Sequence, residues 1–125
     1  MKKEPVIKVL KVEPDKAPEL IEMPNELEAM QAIVGGYIEV YHLADDVAIV
    51  CNEEGKITGM ELNRPIYHND EMVDIIAGTF FIAGDDISIG EFVSLTDEQI
   101  AQYQKQFHDP VHFMKLGNQI IAVPR

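Results

Sequence analysis

The sequence predicts an α+β fold: a mainly antiparallel sheet with two packed helices, at about residues 26–35 and 97–108. Three observations carry this. Both ends of the chain read as strands, strand-like segments outnumber helical ones, and the two kinds do not alternate regularly. A doubly wound parallel sheet needs that alternation, because each parallel crossover runs through a helix. At 125 residues, 46% hydrophobic and 26% charged, the chain has the size and composition of one domain spanning 1–125.

Residues 6–12 alternate, with Val6, Lys8, Leu10 and Val12 on one side and Ile7, Val9 and Lys11 on the other. β-Branched side chains dominate, which predicts a strand. Glu13, Pro14 and Asp15 end it, since proline supplies no ladder donor. Residues 13–24 hold three prolines and many charges, so they read as a surface loop with one short extended segment at 19–23. A helix is expected from Asn25, a favoured N-cap, with Glu28 three residues on. Leu27, Met30, Ile33 and Val34 keep helical spacing, and Gly35 and Gly36 stop it.

Residues 37–43 and 47–51 predict two strands around a turn at Ala44, Asp45 and Asp46. So short a connection makes them an antiparallel hairpin. Residues 52–56 read as a polar turn. Residues 57–71, with Pro65 and two asparagines, predict irregular structure with one helical turn near Leu62. Residues 72–83 are β-like at their centre, punctuated by Gly78 and Gly84. A turn at Asp85 and Asp86 and a short strand in 91–95 follow. The second helix has a full N-terminal signature. Thr96 and Gln99 form a capping box, Asp97 and Glu98 suit the positive end of the helix dipole, and Leu95 and Ile100 form a hydrophobic staple. Ile100, Tyr103 and Phe107 line one face, and Asp109 and Pro110 close the helix. Gly117 and Asn118 turn into a last strand, 119–123.

The formal net charge of −12 is uneven. Five of ten basic residues (Lys2, Lys3, Lys8, Lys11, Lys16) fall in the first sixteen positions. Residues 17–104 hold eighteen acidic side chains and two basic ones, Lys56 and Arg64, a balance of −16. Such a surface repels nucleic acid, whose binding rests on neutralising phosphates, and repels anionic membranes too. It suits solubility or a basic protein partner. Two lysines interrupt the first apolar run, and no stretch approaches the ~20 apolar residues of a membrane span, so no signal peptide or span is expected. One cysteine, Cys51, permits no internal disulfide, which points to the cytoplasm.

No phosphate-binding loop, dinucleotide glycine pattern, nucleophile elbow or paired CxxC is present, and no cofactor is expected. His108 and His112 are four apart, but Pro110 breaks the helical spacing that would aim both at one metal, so no metal site is expected. The run from Asp85 to Glu91 lacks the ligand spacing of an EF-hand. Cys51 ends an apolar strand with no base beside it in sequence and reads as a small buried hydrophobe. Residues 52–64 are the most informative stretch, because polar residues on loops beside a rigid scaffold are where function concentrates. The candidate binding residues are Glu39, Asn52, Glu54, Lys56, Asn63 and Arg64. Arg64 has the fork geometry to hold a carboxylate or phosphate, and Glu54 or Glu39 can serve as a base if buried. Against that stands a simpler role, in which Lys56 and Arg64 pair with neighbouring glutamates and fix the loop.

Residues 31–39 (QAIVGGYIE), 52–56 (NEEGK), 62–64 (LNR), 77–82 (AGTFFI) and 92–99 (FVSLTDEQ) occur in that order. Together they resemble the family known as domain of unknown function 3846, from about Ile7 to Phe107. The resemblance implies a small self-contained cytoplasmic protein of bacteria, their phages or mobile elements, and carries no activity, cofactor or catalytic residue. Three expectations follow. The first is a non-enzymatic binding or accessory protein with a protein partner, in one form a DNA mimic that occupies a basic site. The second is an enzyme or small-ligand binder built on the candidate residues. The third is a homodimer joined along an exposed sheet edge.

Overall fold

The computed structural model of the chain describes residues 4–124; Lys2 and Lys3 lie outside them. The alternating apolar segment forms β1 (Val6–Val12). It pairs antiparallel with β2 (Glu19–Pro24), the short extended segment of the proline-rich loop. On its other side β1 meets β7 (Phe80–Asp86), which in turn pairs β4 (Val47–Asn52), and β4 pairs β3 (Ile38–Ala44). The order is β2-β1-β7-β4-β3, every pair is antiparallel, and β8 (Glu91–Val93) pairs the far end of β7.

The central strands β4 and β7 are buried on both faces, which is why they read as continuous apolar runs. Phe80 and Phe81 are both fully buried yet enter different cores, because successive side chains point to opposite faces. Ile7, Val9, Val50, Phe81 and Ala83 pack with Met30 and Val34 of the first helix. Leu10, Val12, Ile49, Phe80 and Ile82 pack with Ile100, Tyr103 and Phe107 of the second. Phe80 and Phe107 meet edge to face at 5.9 Å, a geometry that adds roughly 0.5–1.5 kcal/mol to burial itself.

Helix α1 (Leu27–Val34) ends at Gly35, whose φ of 79° is left-handed. Its start departs from the expected cap. Glu26 takes the N-cap place without a side-chain bond. Asn25 is buried, and its Nδ2 donates to the Glu4 and Phe92 carbonyls, both at 3.0 Å. A two-donor amide that ties the segment before β1 to β8 has thus displaced the capping role. Helix α2 (Asp97–Gln106) carries the full capping box, with Gln99 N–H donating to Thr96 Oγ1 at 3.1 Å and Thr96 N–H to Gln99 Oε1 at 2.9 Å.

Residues 57–61 are turn and coil, as expected, but the rest of the segment is not irregular, and Leu62 is not helical. It opens β5 (Leu62–His68), which forms a hairpin with β6 (Glu71–Ala77). Asn69 and Asp70 make the two-residue turn with φ of 52° and 65°, the left-handed geometry such hairpins need and these residues tolerate. Pro65 is accommodated because β5 pairs only β6, which leaves its other edge free of a ladder. The single β-like stretch expected at 72–83 is two strands, β6 and β7, parted at Gly78. Asp85 and Asp86 belong to the end of β7, and the turn follows at 87–90. The strand expected last is β10 (Gln119–Pro124), and its partner β9 (Val111–Leu116) was not foreseen. No helix among the described residues is long and apolar enough to cross a membrane.

Candidate functional site

Glu39 lies on β3 directly opposite Cys51 of β4. Asn52 ends β4, where its Nδ2 donates to the Val34 carbonyl at 3.1 Å and its Oδ1 accepts from Glu54 N–H at 2.7 Å. It thereby ties the following loop to the end of α1. That loop carries Lys56 back over β6, where Nζ reaches Asp74 Oδ1 at 2.7 Å. Glu39, Asn52 and Lys56 thus come together, with Tyr41, Glu53 and Asp74, around a cleft of about 130 Å³. Burial pushes the Asp74 carboxyl up, but Lys56 and the Ile75 N–H outweigh it and hold the group below its ordinary value. Burial, then Glu39 and Asp74, push the nearby Cys51 thiol up to about 11, which leaves almost no thiolate at neutral pH.

The other candidates stand elsewhere. Glu54 is exposed, and its carbonyl accepts from the Thr58 N–H at 2.9 Å. Asn63 and Arg64 are each 1% exposed on β5. Asn63 Nδ2 donates to the Val12 and Gly78 carbonyls, both at 2.9 Å. Arg64 donates to the Phe107 carbonyl from Nε (3.2 Å) and Nη2 (3.1 Å), and to Asn63 Oδ1 (2.8 Å) and O (3.4 Å) from Nη1. Nη2 also donates to the Lys16 carbonyl (2.5 Å). Five contacts match the five N–H groups of a guanidinium. Burial lowers the Arg64 pKa, Asp109 and Asp15 oppose that shift, and the cation sits at the C-terminal, negative end of α2. The two cations of the acidic middle are therefore held separately, Lys56 by an aspartate and Arg64 by main-chain carbonyls, neither by a glutamate.

A second concavity, of about 410 Å³, lies at the opposite end of the β3–β4 hairpin. Asp45 and Asp46 reach it from that turn, and Asp85 and Asp86 from the end of β7. The two pairs are stitched by the Asp85 N–H donating to the Asp46 carbonyl at 2.8 Å. His42 Nε2 lies 2.6 Å from Asp85 Oδ2, and Gln99 Nε2 donates to Asp46 Oδ2 at 3.1 Å. No lysine or arginine lines it, and Ile87 stands 72% exposed at its rim. Among the described residues no group of three or more His, Cys, Asp or Glu side chains is arranged to hold a metal. In sequence the aspartates read as two unrelated turns. Only the β4–β7 pairing, with Val47 opposite Gly84, brings them together. Asp74 was missed because the β5–β6 hairpin that carries it was missed.

Fold and site together define a small antiparallel α+β protein with concavities at both ends of its β3–β4 hairpin, one of them lined by four aspartates. The chain belongs to the family described as Domain of unknown function (DUF3846), which matches residues 7–108. No curated protein and no solved structure significantly matches the chain.

Proposed function

We propose that this is a non-enzymatic cytoplasmic binding protein whose aspartate-ringed concavity takes a basic segment of a protein partner. The observation that supports it is the lining itself: four aspartates from two chain segments, no cation, and an exposed Ile87. Carboxylates attract lysine and arginine heads, and an apolar rim receives their aliphatic stems. The overall charge of −12 steers such a partner inward and keeps nucleic acid away. The free thiol of Cys51 fits a reducing compartment. NMR titration with an arginine-rich peptide tests this. Shifts concentrated at 44–47 and 84–88 that weaken with salt support it; shifts spread evenly over the acidic surface, or none, refute it.

A second reading rests on the cleft that gathers Glu39, Asn52, Lys56 and Asp74, a setting for a small polar ligand. A thermal-shift screen of small polar compounds tests it. Stabilisation lost in Lys56→Met supports it, and no stabilisation by any compound removes it.

A further inference from the structure

We propose that the β9–β10 hairpin is a dimerisation arm, in which β10 pairs antiparallel with β10 of a second copy of this chain across a two-fold axis at Ile121. The hairpin is a two-stranded sheet of its own, and no strand among the described residues pairs the other edge of β10. Two-stranded hairpins are marginal when left alone. This one also exposes a row of apolar side chains. Met114, Leu116, Ile121 and Val123 share one face, 52%, 57%, 36% and 37% exposed, as the register Met114↔Ile121 and Leu116↔Gln119 requires.

Charge selects the occupant. Residues 110–125 hold Lys115 and Arg125 and no acidic residue, so they carry +2 in a chain of −12. Strand β10 carries no charge at all. The outer strands of the main sheet are guarded by acid, Glu19 and Glu22 on β2 and Glu39 on β3, as is β6 by Glu71 and Asp74; of the remaining hairpin strands, β9 carries Lys115, and β5 carries Arg64 and Pro65. Charged edges are how proteins prevent strand-to-strand association, and β10 lacks that protection. Two copies that repel one another elsewhere can approach here.

Symmetry then sets the register. An antiparallel pair of identical strands has its two-fold perpendicular to the sheet, so each strand keeps the same residues on the same face. A residue must therefore oppose itself or one an even number of positions away. Centring on Ile121 pairs Gln119 with Val123 and Ile120 with Ala122. It leaves Pro124, which has no N–H, outside the ladder. The strip Met114–Ile121 then continues across the seam into its own copy.

Sedimentation equilibrium of the full chain, from about 5 to about 500 µM, reads the mass directly. The expected result is a rise from 14.1 kDa toward twice that value. Ile121→Lys should stay monomeric with unchanged circular dichroism. It reduces the net negative charge yet sets two ammonium groups face to face. Leu20→Lys, on the acid-guarded β2 edge, should dimerise like the wild type. A wild-type mass of 14.1 kDa throughout, or an Ile121→Lys chain that dimerises normally, overturns the proposal. Register is tested by single cysteines at 119, 121 and 123, with the buried Cys51 left in place. Mild oxidation should cross-link 121 fastest, because opposed residues bring Cα atoms to about 4.5–5.5 Å. Equal or faster cross-linking at 119 or 123 overturns the two-fold at Ile121.

Discussion

Replacing Arg64 by methionine keeps most of the side-chain volume and removes the guanidinium. The carbonyls of Phe107 and Lys16 and the Asn63 side chain then lose the donors they hold at 2.5–3.2 Å. Each buried acceptor left without a partner costs about 1–3 kcal/mol. Similar volume keeps the cavity cost small, and the Lys16 carbonyl is only partly buried, so three acceptors toward the lower end of that range sum to about 3–5 kcal/mol. For a chain of 125 residues, each kcal/mol moves Tm by about 4 °C, which predicts a fall of about 10–20 °C. Arg64→Lys keeps a charge but replaces the fork with a point donor, and should lose about 1–3 kcal/mol. Thermal and urea unfolding measure both. If Arg64 instead served a ligand, its loss would leave stability untouched. A fall under about 2 °C for Arg64→Met, the scatter of ordinary surface substitutions, would refute the clamp.

Asn25→Asp separates two roles that the sequence conflates. As an N-cap aspartate serves as well as asparagine, but as a tie to Glu4 and Phe92 it loses both donors, so a loss of about 2 kcal/mol or more is expected in urea unfolding. Asp74→Asn should lower Tm at neutral pH. The wild-type carboxyl is held below its ordinary value, so its contribution is present above the unfolded pKa of about 3.9 and fades as pH falls through the lower, folded value. The Tm gap between the two chains should therefore close in that acid window, and a constant gap would contradict the Lys56 pairing. Cys51, 6% exposed and raised to about 11, should react slowly with thiol reagents at neutral pH and quickly once denatured. Labelling of the native chain at the rate of a free cysteine would contradict its burial.

Local grammar was legible wherever it agreed with the tertiary fold. The Thr96 capping box, the Gly35 stop and the β3–β4 hairpin all follow from neighbours in sequence, and all are present. Tertiary partners decided the rest. Asn25 has the chemistry of a cap but serves the segment before β1 and strand β8, both remote in sequence. Pro65 argues against a strand only if both edges are paired, and β5 has one free. The polar segment 52–64 mixes two fates that no local pattern separates. Lys56 reaches an aspartate on β6, while Arg64, eight residues later, is swallowed between β5 and the end of α2. The aspartate ring could not be read at all, because Asp45 and Asp85 are forty positions apart and meet only through the register of β4 and β7.

Under the proposed function, those four aspartates, and not the overall acidity, hold a basic partner. Two variants of equal net charge test it: Asp45, Asp46, Asp85 and Asp86 changed to Asn, against Glu19, Glu22, Glu26 and Glu28 changed to Gln. Binding of an arginine-rich peptide is measured by titration calorimetry at low salt. The aspartate variant should lose about tenfold or more in affinity while the glutamate variant loses about twofold or less. Equal losses in the two variants would contradict a specific role for the four aspartates.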